Sequence, residues 1–206
     1  MIYDIYDASI HSYPAGRLSD GVSFDRKILE IRQIPGGFLF PRISCHFEFI
    51  YLLSGTMEFR IRQKAFLVSS GEGFFINMNE IYSACTYQSY DCHFVIYRVS
   101  PSVLFQTENN PLYQKYIRPL IDQPSFGYQT LVPKIPWQKY ILEMIRKMND
   151  ICDRPVDGYE LKINHFVNEI FYYIFHNVNL SKELSLKESR DLERMKDVMI
   201  LSLIHI

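Results

Sequence analysis

Glu48-Phe49-Ile50-Tyr51-Leu52-Leu53-Ser54-Gly55 is an apolar run opened by one carboxylate and closed by a turn pair. A second run, Phe74-Phe75-Ile76, follows Gly71-Glu72-Gly73 and stops at Asn77-Met78-Asn79-Glu80. Runs this short, bounded by turn residues, are the signature of buried strands rather than helices. Between them Met57, Phe59 and Ile61 alternate with Glu58, Arg60 and Arg62, a period of two that sends one set to a core and the other to water.

Working outward, residues 24–99 repeat this pattern. Turn signals fall at Pro35-Gly36-Gly37, Ser54-Gly55, Arg62-Gln63-Lys64, Ser69 to Gly73, Asn77 to Glu80 and Gln88-Ser89. Short strands so closely spaced leave no room for helical crossovers, so the expectation is a β-sandwich or barrel. After Pro101 the pattern changes. Gln106 to Gln129 is polar and punctuated by Pro111, Pro119 and Pro124, which reads as short helices and loops. Trp137 to Asp153 carries Ile141, Ile145, Met148 and Cys152 on one helical face, with Pro136 suited to its first turn. Asp157 and Glu160 have capping-box spacing for a second helix. That helix bears Leu161, Phe166, Ile170, Phe171, Ile174, Phe175 and Val178. Its apolar arc is wider than one packing face requires, which fits either a helix buried between the barrel and a neighbouring element of the same chain or, the reading preferred here, a helix with one side on the barrel and the other on a second subunit.

Asn179 to Lys187 reads as a polar hinge, and Ser185 to Glu188 as a capping box for a helix with Leu192, Met195, Met199 and Leu203 on one side. An isolated amphipathic helix is marginal in water, so further chain is expected after Ile206. The net charge of −1, from 22 basic and 23 acidic residues, gives no basic stripe for phosphates, so these residues alone are a poor DNA binder. No apolar run approaches the roughly 20 residues that span a bilayer, and Met1-Ile2-Tyr3-Asp4 lacks the basic start of a signal peptide. Four cysteines without C-x-x-C spacing suit reduced thiols in a cytoplasmic protein. The 15 Tyr and 15 Phe suit either strand packing or a cavity wall.

The order of these parts resembles the AraC-type family of bacterial transcription regulators. Glu48 to Gly55 is similar to the family's E-x-x-Y-x-x-x-G strand, and Gly71-Glu72 with Phe74 to Glu80 is similar to its P-G-D…N-P-N-E-x-H strand. Trp137-Gln-Lys-Tyr-Ile-Leu and Gly158-Tyr-Glu-Leu-Lys-Ile match its helical hairpin, and Leu192-Glu-Arg-Met-Lys-Asp-Val-Met looks like the opening helix of its DNA-binding half. The resemblance implies a mainly β fold with an α appendage. Residues 1–105 would form a cupin-like (jelly-roll) ligand-sensing barrel and 106–180 a helical dimerisation region. Residues 181–206 would be a linker and the start of a helix-turn-helix domain absent from this chain.

Where metal-binding cupins supply histidines and a carboxylate, the matched positions here hold Arg42, Ser44, Glu48 and Tyr82. One carboxylate does not make a transition-metal site, so no metal, cofactor or catalytic residue is expected. The resemblance instead implies a small polar effector, a sugar for example, in the barrel. Arg42 would offer a planar donor fork. Ser44, His46, Glu48, Tyr82 and His93 would add polar contacts, with Tyr51, Phe75 and Tyr97 as the wall. Phe166, Ile170, Phe171, Ile174 and Phe175 would pair two copies into a homodimer, and DNA would be reached only through the absent C-terminal domain. Binding would bias the barrel edge, the arm Met1 to Leu18, or the hinge. Two other readings stay open: a metal-dependent cupin enzyme (isomerase or dioxygenase) using Glu48, His46 and His93, and a free-standing carbohydrate-binding or structural barrel that never touches DNA.

Overall fold

The computed structural model describes residues 24–198 except 45, 63, 89–90, 106–108, 124, 179–188 and 192. Eight strands fill the first part: β1 (Phe24–Glu30), β2 (Phe38–Ile43), β3 (Phe47–Ser54), β4 (Thr56–Ile61), β5 (Lys64–Ser69), β6 (Gly73–Ile76), β7 (Ile81–Thr86) and β8 (His93–Val99). They pair antiparallel in two sheets, and a ninth, β9 (Tyr128–Leu131), extends the first: β1-β8-β3-β6-β9 and β2-β7-β4-β5. Successive strands from β1 to β4 alternate between sheets, and β5 to β8 return in the reverse sense. This interleaving of two Greek keys is a jelly roll, a form of the sandwich or barrel that the turn spacing predicts and the cupin-like architecture that the resemblance implies.

Turn chemistry explains the tight corners. Gly55 takes φ 82° between β3 and β4, where a Cβ would meet Cys92 Sγ at 2.5 Å. At Gly73 a Cβ would stand 2.2 Å from the Ile50 carbonyl oxygen, so β6 approaches β3 only because that residue has no side chain. The Asn-x-Asn-Glu turn ties the sandwich to residues 120–126, which precede β9. Asn77 donates from Nδ2 to the carbonyls of Leu120 and Phe126, both at 2.7 Å, and Glu80 pairs with Arg62 at 2.7 Å.

The central sheet is buried on both faces. Between the sheets lie Leu29, Ile50, Leu52, Met57, Phe59, Phe74, Phe94 and Ile96. On the outer face Phe47, Phe49, Phe75, Val95 and Tyr97 pack against helices. The helical part begins with α1 (Ser102–Phe105), a π-helical turn (Tyr113–Ile117) and α2 (Arg118–Asp122), and its two long members are α3 (Pro136–Asp153) and α4 (Tyr159–Asn177). Pro136 opens α3 as its missing N–H permits, and Ile141, Ile145 and Met148 are fully buried as their spacing predicts.

Several expectations change here. The stretch 106–129 is not helix and loop alone, because β9 begins at Tyr128 and pairs with β6 from Gly73↔Leu131 to Ile76↔Tyr128. Residues placed beyond the barrel therefore complete one of its sheets. Helix α4 is not capped by Asp157. Its N-cap is Gly158 at φ 79°, with no side-chain cap, a left-handed conformation that glycine adopts without a Cβ penalty. Residues 189–191 and 193–198 are helical, as the final amphipathic pattern suggests. The arm, the 179–187 hinge, Leu192, Met199 and Leu203 lie outside the described residues. Among the described residues, no helix is long and apolar enough to cross a membrane.

Candidate functional site

Period two places Glu48, Ile50 and Leu52 of β3 between the sheets and Phe47, Phe49 and Tyr51 on the outer face. Glu48 is thus a carboxylate inside the sandwich, 1% exposed. A charge so placed needs partners, and three converge on it. Arg42 Nη2 donates to Oε1 at 3.1 Å, and the Tyr82 hydroxyl donates to Oε2 at 2.5 Å. Arg98 Nε lies 3.3 Å from Oε1 as an ion-pair contact.

Each partner comes from a different strand. Arg98 is opposite Glu48 in the β3–β8 register, so the two share a face. Tyr82 reaches across from β7. Arg42 reaches it only because β2 bulges: Leu39 pairs with Ala84 but Arg42 pairs with Tyr82, three steps against two. Without that extra residue Arg42 would point outward. Its guanidinium also sits over the Tyr82 ring, 5.6 Å from the centroid. Asp25 adds a weaker contact, 3.8 Å from Arg98 Nη1.

Access runs through the arginines. The Arg42 side chain is 23% exposed and Arg98 12%, whereas Tyr82 is sealed at 1%. Burial pushes the Tyr82 phenol well above its ordinary value, Arg42 partly opposing it, so the hydroxyl stays protonated and donates. The result is a carboxylate held by two guanidinium groups and a phenol at one end of the sandwich. Such a set can exchange hydrogen bonds with a carboxylate or vicinal hydroxyls.

The structure therefore brings together Arg42, Glu48 and Tyr82 from the expected site and separates the rest. Ser44 is spent locally, its hydroxyl donating to the His46 carbonyl at 2.5 Å in the β2–β3 connection, where His46 is half-buried. His93 pairs with Ser54 while Arg98 pairs with Glu48. Five residues along a strand put His93 roughly 17 Å from the cluster. Tyr51, Phe75 and Tyr97 face the helices, not the interior, so they form no cavity wall. Among the described residues no group of three or more His, Cys, Asp or Glu could hold a metal ion.

Sequence reasoning missed Arg98. The available signal was the single charge in Phe94-Val95-Ile96-Tyr97-Arg98-Val99, which requires a buried counter-charge of the kind Glu48 supplies. The helical pairing face also differs from expectation. Ile170, Phe171 and Ile174 are buried within the chain at 0, 3 and 0% exposure, and Phe171 packs on Phe47 and Phe49, so these three are not available to a second subunit. Phe166 and Phe175 are half-buried at the margin of the same core.

No family model matches. The chain is 27% identical over 133 residues to the uncharacterised HTH-type transcriptional regulator YdeC of Bacillus subtilis strain 168, covering 65% of this chain and 45% of that protein. The chain thus spans less than half the length of this curated relative. Among solved structures it is similar to the AraC-like transcriptional activator CuxR, with TM-score 0.45 and 12% identity over 86% of this chain and 67% of that one. It is also similar to ToxT from Vibrio cholerae, with TM-score 0.49 and 11% identity over 81% and 62% of the two chains.

Proposed function

We propose that this chain is the effector-sensing and dimerising portion of an AraC-type transcription regulator, without catalytic activity of its own. The observation that carries the reading is the buried Arg42–Glu48–Arg98–Tyr82 cluster, whose arginines are its exposed members. Purely structural cores rarely keep three charges between sheets, because their desolvation is costly. A small polar molecule would engage the guanidinium forks from outside and rearrange the pairs around Glu48. Binding regulates only through a difference in affinity between two arrangements of the chain. DNA would be reached through a further domain, as the similarity to an HTH-type regulator suggests.

A thermal-shift panel of neutral sugars, sugar acids and small carboxylates tests this. A ligand at 100 times its Kd stabilises by roughly 2.7 kcal/mol, so at least one class should raise the melting temperature by roughly 5–10 °C. A panel with no shift in any class counts against an effector of this chemistry.

The homodimer is proposed on a revised surface. Tyr140 and Tyr172 are 55 and 60% exposed on α3 and α4. They join Tyr173 in a contiguous aromatic patch, with Tyr140 stacked on Tyr173 at 5.8 Å and Tyr172 against it at 5.6 Å. Exposed tyrosines of this kind are favoured at interfaces. Light scattering should give twice the chain mass at tens of micromolar, and the double variant Tyr140→Glu, Tyr172→Glu should give a folded monomer. A wild-type monomer at that concentration would remove the dimer from the account.

A further inference from the structure

Two consecutive residues of β8 face opposite ways. Arg98 points between the sheets to Glu48. Tyr97 points outward to the helices, its hydroxyl donating to Asn149 Oδ1 of α3 at 3.2 Å. Their partners on β1 repeat the division, since Asp25 is opposite Arg98 and Arg26 opposite Tyr97. Arg26 sends Nη2 to Asn149 Oδ1 at 2.5 Å and to Asp153 Oδ1 at 2.6 Å, and Asn149 in turn donates to Asp153 at 3.2 Å. The Arg26 side chain is only 10% exposed, and its Nε has no hydrogen-bond partner among the described residues.

Thus a polar network sits on the outer face of the sheet, back to back with the interior cluster. We propose that the registered pairs Asp25–Arg98, facing inward, and Arg26–Tyr97, facing outward, carry the state of the interior cluster to the last turns of α3. Neighbouring residues of an extended strand share one peptide. A rotation or slide of β8 that re-aims Arg98 must therefore displace Tyr97 on the opposite face. The receiving network is suited to two arrangements. A guanidinium with one donor unsatisfied loses less on shifting than a saturated one would, and buried polar groups respond strongly to small changes in geometry. Helix α3 packs against α4, which bears part of the proposed dimer surface, so the displacement has a route toward subunit arrangement. The inference gives the effector reading its transmission step and rests on that reading for its biological purpose. The physical coupling is measurable with no effector present.

The experiment is amide hydrogen exchange on the 206-residue chain, comparing wild type, Glu48→Gln, Asn149→Ala and the double variant. Coupling predicts that Glu48→Gln speeds exchange of residues 146–153 at least about fivefold in the wild-type background. In the Asn149→Ala background, where the network is already cut, the same substitution should change it less than about twofold. An unchanged rate at 146–153 in the wild-type background overturns the proposal. So does an equal acceleration in both backgrounds, or one shared evenly with β4 and β5, because these mark general loosening. Arg98→Lys, which keeps the charge but alters the reach, gives the same readout if the Gln variant does not fold. A failed metabolite panel leaves this result intact, and a failed coupling test leaves effector binding intact, so the two ideas fall separately.

Discussion

Replacing Phe171 with alanine is expected to cost about 3–5 kcal/mol, the usual penalty for emptying a buried aromatic site. For a chain of this size that is a fall of roughly 6–20 °C in melting temperature. The reason is position. The Phe171 ring lies 4.9 Å from Phe47, 5.8 Å from Phe49 and 5.9 Å from Phe75, so one side chain of α4 meets two strands of the central sheet at once. Phe126 stacks on the far side of Phe75 at 5.7 Å, extending the cluster into the segment before β9. Collapse of neighbouring rings into the vacancy would soften the loss, and Phe171→Leu should cost less for that reason. Differential scanning calorimetry measures both. A Phe171→Ala protein that melts within about 2 °C of wild type would mean that α4 does not depend on this contact.

Glu48→Ala should be comparably damaging for a different reason. It leaves Arg42 and Arg98 facing each other with their shared counter-charge removed, and breaking a buried pair in this way costs about 3–5 kcal/mol. The informative contrast is the triple replacement Glu48→Leu, Arg42→Met, Arg98→Met. Apolar groups of similar volume often match or exceed a buried ionic cluster in stability. The triple variant is expected to melt at or above the temperature of Glu48→Ala and close to wild type, while losing every ligand-dependent shift. If the cluster served folding alone, the variant would be as responsive to ligand as wild type.

Much of the β half is legible in the sequence because turns and alternation are local. Met57, Phe59 and Ile61 lie inside as period two requires, and Gly55, Gly71 and Asn79 hold the left-handed turns that their residue types favour. The features that escape such a reading are set by tertiary context. β9 is four residues, Tyr128-Gln-Thr-Leu, too short to show a period after a proline-punctuated stretch. Tyr51, Phe75 and Tyr97 mimic a cavity wall because the central sheet is buried on both faces, so an aromatic on either side looks equally internal. The inward aim of Arg42 depends on a bulge that no local pattern announces. Ile170, Phe171 and Ile174 mimic a subunit interface on similar grounds: an apolar arc states that something covers it, and here the chain's own barrel does. Arg42, Glu48 and Tyr82 could be grouped in advance only through the resemblance, which matches them to the ligand positions of metal-binding cupins.

Whether the buried cluster is where an effector is held can be decided by isothermal titration of the strongest thermal-shift ligand against wild type and Arg98→Met. Wild type is expected to bind saturably at one site per chain, the variant at least about 100-fold more weakly, with the ligand recovered chemically unchanged. Equal affinity for the two proteins, or conversion of the ligand to a product, would rule out a sensing role for these side chains.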